Sequence, residues 1–374
     1  MRSGYFFCGD WFIVTGRAML LELRGGVGVF SDYVLFLFAT QPRRAKGIFN
    51  VLRGRRTVST LFAGLTYGCL DQLDSWHGVP LEKFVATAAQ LQSTGDLVSP
   101  TPGYYQLTAQ GVTRQKKQRA LRYQPVALHG FQTTDVRRFA ALSQLALQVA
   151  SEAAHRENRY YPVTTDPGVQ AIVKAWFRRF HSPTLGRTIF DGLQAFLMSL
   201  PDELAQIFVQ SLTGYQFPGQ TDAQLATTFK RSPVEMLVIR KDLMCRWVIW
   251  LSQHQTDPLW ALLAPLVKAS PVSSSAQRTF QDFLQVDDLE MISKRRHLKL
   301  STVREHLLEV AILTPDFPFE RLLTKTVSQQ LTTIFADQPE LTTWQFAQVQ
   351  TVMPQLDFFY FRLFQIMRCQ HERG

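Results

Sequence analysis

Apolar residues recur every three or four positions along most of the chain, which is the spacing of a helix with one buried face. The segment FAALSQLALQVASEAA shows the pattern clearly, because polar residues separate its large apolar ones. Its apolar stripe consists of Phe139, Leu142, Leu145 and Val149. We therefore expect a mainly α-helical protein, built from amphipathic helices that pack through their apolar faces.

Helix starts are marked most clearly in the middle of the chain. The sequences TDAQ at 221–224 and SPVE at 232–235 both have the form of a capping box, in which two side chains satisfy the first N–H groups of a helix. The second also has a proline at the preferred first helical position. These signals predict a short helix at about 222–229 and a long helix from 233 toward Gln253.

A change of pattern near residue 97 predicts a small hairpin. Helical spacing gives way there to two strand-like runs, Leu97–Val98 and Tyr104–Leu107, with Gly, Ser and Pro between them. Several helices followed by a hairpin are typical of a winged-helix domain, which we place at 32–123. A small α+β packing module without a ligand is the alternative interpretation.

The length of 374 residues predicts a multi-domain protein, because one hydrophobic core rarely organises so long a chain. The segment KASPVSSSAQ at 268–277 is small, polar and proline-containing, and it is the best boundary. The predicted parts are an uncertain N-terminal extension at 1–31, the winged-helix-like domain at 32–123, a central helical domain at 135–270 and a C-terminal domain at 272–370.

The composition favours a folded protein of the cytoplasm. Four cysteines lie far apart and form no CxxC pair, which suits a reducing compartment, and no apolar run is long enough to cross a membrane. The stretch from Met1 has an early arginine and many aromatic residues, but Asp10 interrupts it and no good signal-peptide cleavage site follows. Translation from Met19 is an alternative start.

Basic residues are unevenly distributed along a chain whose formal net charge is +10. No Asp or Glu lies between Tyr33 and Leu70, and none lies between Leu97 and Thr134. A phosphate-binding surface requires clusters of this kind, although a charged run can also be a solvated face. The candidate DNA contacts in these two stretches are Arg43, Arg44, Arg53, Arg55, Arg56, Lys116 and Lys117.

A third basic cluster lies in ISKRRHLKLSTVREHLLEV, residues 292–310, whose apolar spacing predicts two helices joined by a tight turn. Ser293 is the small residue that a close helix crossing needs, and Leu298 is expected to be buried in the turn. Thr302 and Glu305 form a capping box that is expected to start the second helix. This is the order of a helix-turn-helix, and an ordinary helical corner is the alternative.

The outer face of this predicted helix-turn-helix carries donors suited to DNA. The basic side chains are expected to contact phosphates, and the exposed N-terminal end of the second helix is expected to lie nearest the bases. The candidate residues are Lys294, Arg295, Arg296, Lys299, Ser301, Thr302, Arg304 and Glu305.

Patterns that carry catalysis or bind metal are missing from the sequence. The P-loop, the GxSxG nucleophile elbow and the HExxH zinc motif are absent, and no two of the eight histidines are spaced four apart. We therefore predict a non-enzymatic protein that requires no cofactor and no metal.

The segment SSAQRTFQDFLQVDDLEMISKRRHLKLSTVREHLLEVA resembles the helicase-associated helix-turn-helix domain at the C-terminus of bacterial RecQ-type helicases. The stretches LTGYQFPGQTDAQLATTF, YYPVTTDPGVQAIVKAW and LDFFYFRLFQIM resemble stand-alone members of that family, which are typically encoded beside a RecQ-type helicase in low-GC Gram-positive bacteria. The resemblance extends from about residue 32 and is most specific at 275–312. Gln285-Val286 and Arg304 depart from the family pattern, so base preference does not transfer.

The resemblance implies an accessory protein that binds duplex or forked DNA and acts with a separately encoded RecQ-type helicase in DNA repair or recombination. Two alternatives stay open at this point. A sequence-specific transcription regulator would use the same residues, and a helical protein-interaction adaptor would make no DNA contact. The sequence does not indicate an oligomeric state.

Overall fold

The computed structural model describes residues 28–371, and in this range the chain is mainly helical, as predicted. The first elements in chain order are helix α1 Val29–Leu35, strand β1 Arg43–Arg44, helix α2 Ala45–Leu52, helix α3 Val58–Tyr67, helix α4 Leu81–Ser93, strands β2 Leu97–Thr101 and β3 Tyr104–Leu107, and helix α5 Ala109–Leu121. The alternative start sites and most of the predicted N-terminal extension lie outside the described residues.

The rest of the described chain is helical, apart from isolated β-bridges that pair Thr134 with Val267 and Gly214 with Phe217. Its helices are α6 Gly130–Thr133, α7 Val136–Ala154, α8 Pro167–Phe180, α9 Leu185–Met198, α10 Asp202–Gln210, α11 Asp222–Thr228, α12 Pro233–Gln253, α13 Trp260–Leu263, α14 Ser274–Gln285, α15 Leu289–Arg296, α16 Leu300–Leu313, α17 Lys325–Ile334, α18 Phe346–Val352 and α19 Phe358–His371. Short 3-10 turns lie at Leu70–Gln72, Ala264–Leu266, Phe319–Arg321 and Leu341–Thr343.

Contacts divide the described residues into two compact units. The first unit consists of the residues up to Arg53 together with Asp71–Ala269. The second unit consists of Gly54–Leu70 together with the residues from Ser270 onward. Helix α3 therefore belongs to the second unit, although it lies in the N-terminal part of the sequence.

The first unit contains the predicted hairpin of β2 and β3. Strand β1 pairs antiparallel with the other edge of β3, so the strand order is β1-β3-β2. The pairing of Arg43 with Tyr105 joins residues far apart in sequence and makes a three-stranded sheet of the hairpin. The winged-helix assignment of this region stays a prediction.

The main core of the first unit surrounds Trp247 on α12. Its ring lies 5.4 Å from the ring of Phe139 on α7 and 5.1 Å from that of Phe208 on α10. The predicted apolar stripe of α7 faces this core: Phe139, Leu142 and Leu145 are buried, and Val149 is partly buried.

The helix starts that the capping patterns predicted are present at Thr221 and Ser232. Thr221 forms a complete capping box with Gln224. Ser232 accepts the backbone N–H of Glu235, but the Glu235 carboxylate does not return to the cap. It accepts the backbone N–H of Tyr123 at 2.8 Å instead, so the second box is only half formed. The Glu235 side chain, which the local pattern assigned to the cap, makes a long-range contact instead.

Helix α3 completes the core of the second unit. It packs against α16 and α19, where its Leu61 and Leu65 are buried. Just before it, Arg56 donates to the carboxylate of Glu309 at 3.1 Å and to the carbonyl of Pro271. The Glu309 carboxylate also accepts the backbone N–H of Ser273 at 2.8 Å. One buried carboxylate thus joins three separate segments of the chain.

Two features are absent within residues 28–371. None of the helices there combines the length and the apolar character that a membrane span requires. In the same range, no three His, Cys, Asp or Glu side chains are grouped so that they could hold a metal ion.

Candidate nucleic-acid interface

Helices α15 and α16 form a helix-turn-helix in the second unit, where the apolar spacing predicted one. Asp288 caps the start of helix α15, where its carboxylate accepts two backbone N–H groups of the first turn. His297 caps the end of the helix, and its φ of 52° lies in the left-handed region. A left-handed residue commonly ends a helix and redirects the chain, and here the chain enters α16 after only Leu298 and Lys299.

The crossing of these helices depends on the residues that the sequence indicated. Ile292, Val303 and Leu307 are buried between them. The hydroxyl of Ser293 donates to the carbonyl of Leu298 at 2.6 Å, and the Leu298 N–H donates back to the Ser293 carbonyl at 3.0 Å. Ser293 therefore fixes the turn as well as leaving space for the crossing, while Leu298 is half-buried.

The start of α16 corrects the predicted capping box. The residue at the cap is Lys299, which makes no side-chain cap hydrogen bond, and the helix begins at Leu300. Thr302 and Glu305 lie inside the helix, and the Thr302 N–H donates to the Lys299 carbonyl at 2.9 Å. The helix starts earlier than the pattern indicates because left-handed His297 completes the turn within three residues.

Arg296 has a structural role among the predicted DNA contacts. Its side chain is 13% exposed and donates to the Ser275 carbonyl at 2.9 Å and to the Thr279 hydroxyl at 2.6 Å, both on α14. Its neighbour Arg295 is 65% exposed, although it lies 3.3 Å from Asp282. Arg296 therefore holds α15 against α14, and Arg295 faces solvent.

The N-terminal end of α16 is its exposed part. Ser301 and Glu305 face solvent there, whereas the second half of the helix is buried. Arg304 is half-buried, donates to the carboxylate of Asp357 at 2.8 Å and lies 5.8 Å from the centre of the Phe359 ring. Its charge is therefore partly balanced within the unit.

Lys294 and Lys299 are the exposed lysines of the helix-turn-helix. Neither ammonium forms a hydrogen bond or an ion pair with another residue of the described range. Together with Arg295 they place three solvent-facing cations at the end of α15 and the start of α16; we call these three residues the turn cluster. Lysines held only by their stems are free to meet a phosphate.

The other predicted basic contacts are distributed over both units. In the first unit, Arg43 donates to the Leu37 carbonyl at 2.7 Å and Arg53 to the Val79 carbonyl at 3.3 Å. The exposed members there are Arg44, Arg53, Lys116 and Lys117. In the second unit Arg55 is exposed, while Arg56 is engaged by Glu309.

Arg362 on α19 is a cation that clustering of basic residues did not reveal. Its guanidinium carbon lies 3.8 Å from the centre of the Phe62 ring and 5.0 Å from that of Phe358, which is 44% exposed. Burial lowers the pKa of Arg362 to about 10, so it is still charged at neutral pH. It has no hydrogen bond or ion pair to a described residue. The sequence signal that could have identified Arg362 is its position as a lone arginine in the aromatic run DFFYFRLF.

Comparison with known proteins supports the C-terminal assignment. Residues 275–365 match the model of a helix-turn-helix domain family. The chain is also 25% identical over 288 residues to Protein YpbB of Bacillus subtilis (strain 168), a similarity that covers 74% of this chain and 79% of that protein. No solved structure matches. The predicted helix-turn-helix domain is therefore confirmed, and a domain of this kind favours DNA binding.

Proposed function

We propose that this protein is a non-enzymatic DNA-binding accessory factor that acts with a separately encoded RecQ-type helicase in DNA repair or recombination. The observation that carries the proposal is the turn cluster of Lys294, Arg295 and Lys299 beside the exposed end of α16. The family match at 275–365 supports the DNA-binding part of the proposal. Cations beside the exposed N-terminal end of a second helix suit phosphates that flank a major groove.

The residues of this surface take different parts in the proposed contact. Lys294, Arg295 and Lys299 neutralise phosphates, and Arg296 positions them by holding α15 on α14. Ser301 can donate or accept at a base edge, and Glu305 can accept from the amino group of cytosine. Arg304 supplies charge only where DNA competes with Asp357 for its guanidinium.

The surface around Phe358 extends the proposal from duplex to forked DNA. An exposed aromatic ring stacks on an unpaired base whatever its sequence, and an adjacent arginine reaches the neighbouring phosphate. Phe358 and Arg362 form such a pair in the second unit. They fit the single-stranded arm of a fork, the substrate that a helicase produces.

The helicase partnership rests on the resemblance of residues 275–312 to the helicase-associated domain. A sequence-specific regulator would instead prefer one sequence over random DNA by roughly 4–10 kcal/mol. An adaptor without DNA contact is favoured by one observation, since Arg56, Arg296 and Arg304 are all used inside the second unit.

Fluorescence anisotropy with labelled duplex, fork and single strand over a range of salt concentrations tests the DNA contact. We expect salt-sensitive binding, and we expect Lys294→Ala/Lys299→Ala to reduce the slope of log K against log salt by about two. The matched control is Lys174→Ala/Lys325→Ala, which removes two exposed lysines elsewhere and should leave the slope unchanged. An unchanged slope in Lys294→Ala/Lys299→Ala would show that the turn cluster does not contact DNA phosphates. Capture of the helicase with no DNA affinity would favour the adaptor.

A further inference from the structure

A cavity of about 140 Å³ lies in the first unit beside α1 and α12. Four aromatic side chains line it, and they are Phe30, Tyr33, Phe36 and Trp76. A dry apolar cavity of roughly 150 Å³ is known to hold a benzene ring, so the volume here suits one aromatic ring. The rings of Phe30 and Trp76 lie 5.8 Å apart, and those of Tyr33 and Phe36 lie 5.6 Å apart.

The charged side chains that line this cavity are both cations. Lys241 on α12 donates from Nζ to the Ser75 carbonyl at 2.8 Å, and it forms no ion pair with a described carboxylate. Arg119 donates to the Phe36 carbonyl at 2.8 Å, with its guanidinium 4.9 Å from the Phe36 ring. The Tyr33 hydroxyl donates to a backbone carbonyl, and burial raises the pKa of Tyr33, so it stays neutral. No Asp or Glu lines the cavity.

No described carboxylate lies within ion-pair distance of Lys241. The pKa of Lys241 is lowered to about 8, first by burial and second by the nearby Arg137 guanidinium. Asp74, Asp222 and Cys245 act in the opposite direction. Asp74 forms its ion pair with Arg137 at 2.7 Å and acts on Lys241 only from a distance. Lys241 is half-buried. A partly desolvated ammonium without a close counterion is costly, and an anion that reaches it is correspondingly favoured.

We propose that this cavity is a binding site for a small aromatic carboxylate. The ring lies among the four aromatic side chains, and the carboxylate accepts a hydrogen bond from Nζ of Lys241. Arg119 adds a second positive charge to the lining. The proposal does not depend on DNA binding, because every residue that carries it belongs to the first unit.

The chemistry predicts a specific pH dependence. The ammonium form of Lys241 attracts the carboxylate more strongly than the neutral amine does, so binding is strongest below the pKa of Lys241 in the free protein, about 8. Above that pH the affinity falls by about tenfold per pH unit, until the higher pKa of the complex is reached.

Isothermal titration calorimetry of the full chain with sodium benzoate tests the proposal. We expect saturable binding at pH 7, a loss of at least about tenfold in affinity at pH 9.5, and at least about tenfold weaker binding of uncharged benzamide. Lys241→Met should abolish benzoate binding, Lys241→Arg should retain it, and Lys174→Met at an exposed site should leave it unchanged.

The pH series on the unmodified protein keeps the test valid if Lys241→Met does not fold. No saturable heat with millimolar benzoate would overturn the proposal. Equal affinity for benzoate and benzamide, or equal affinity at the two pH values, would do the same. The DNA-binding assay is separate. Failure of benzoate binding therefore does not affect the proposed DNA binding, and failure of DNA binding does not affect the proposed cavity site.

Discussion

Helix α5 and helix α16 are both attached to a larger unit, but by opposite means. Helix α16 buries mainly apolar residues, with Val303, Leu307 and Val310 among them. Helix α5 buries Gly111 alone and has no apolar stripe. Yet both helices lie in basic stretches that the sequence assigned to DNA contact.

Polar contacts replace apolar ones on α5. Arg114 donates to Asp32 at 2.9 Å and to Asp96 at 2.6 Å, and the Gln115 amide donates to the carbonyls of Leu35 and Phe38. The same division of basic residues occurs in the second unit, where Arg296 is used inside and Lys294 faces out.

Within each basic cluster, the cations that are used inside the unit are arginines, whereas the lysines stay exposed. A guanidinium offers five donors in a fixed plane and can satisfy several acceptors at once, so it is suited to internal contacts. Arg114 and Arg296 behave in this way, whereas Lys116, Lys117 and Lys299 stay exposed. A count of bases therefore overstates the surface that is left for DNA.

Removing an apolar anchor from α16 should have the largest effect. Leu307 is fully buried, so Leu307→Ala should lower the free energy of unfolding by about 2–5 kcal/mol through lost burial and a cavity. Urea unfolding measures this change. Leu121→Ala at the exposed end of α5 is the matched control, and it should change the free energy of unfolding by less than about 0.5 kcal/mol. Similar losses in both variants would erase the contrast between the helices.

Removing the polar anchor of α5 should have the next largest effect. Arg114→Met leaves the carboxylates of Asp32 and Asp96 without their shared cation, and Asp96 has a side chain only 1% exposed. We expect a loss of about 1–3 kcal/mol in urea unfolding at pH 7. Lys117→Met should cost almost nothing, and Asp96→Asn added to Arg114→Met should restore part of the loss. If Arg114→Met unfolds at the same urea concentration as the wild-type protein, the ion pairs of Arg114 do not stabilise the attachment of α5.

The pH response of the second unit should be the smallest effect. Nδ1 of His306 lies 2.7 Å from the Thr279 hydroxyl, and burial, followed by the charge of Arg296, lowers the pKa of His306. Below about pH 6.5 the unfolded chain therefore binds this proton more readily than the folded chain does. The free energy of unfolding consequently decreases as the pH is lowered. Thermal unfolding between pH 7.5 and 5.5 should show a flatter response in His306→Gln. An identical slope in both proteins would contradict this assignment.

Local patterns predicted the elements better than they predicted the partners of charged side chains. Apolar spacing placed α7 and α16 correctly, and the cap at Thr221 is complete. The box at Thr302 was wrong because His297 adopts a left-handed backbone and ends the preceding helix there. Histidine enters this region more often than most residues, but far too seldom for its residue type alone to place a helix end.

Long-range partners lay beyond local patterns for a different reason. Arg56 meets Glu309 and Arg304 meets Asp357 across long sequence separations, and no local pattern encodes such pairs. The sequence thus identified the basic candidates, but the fold decides which of them are free. Arg362 shows the converse, since a single cation among aromatic residues has no cluster to mark it.

The place of α3 in the second unit has a consequence for synthesis of the chain. Gly54–Leu70 leaves the ribosome about 200 residues before Ser270, so Leu61 and Leu65 have no native core to enter when they emerge. At about 5–20 residues per second, that interval lasts on the order of 10–40 seconds. A gene fragment that starts at the helix-turn-helix would never receive α3 at all, and an expression design should link 54–70 to it.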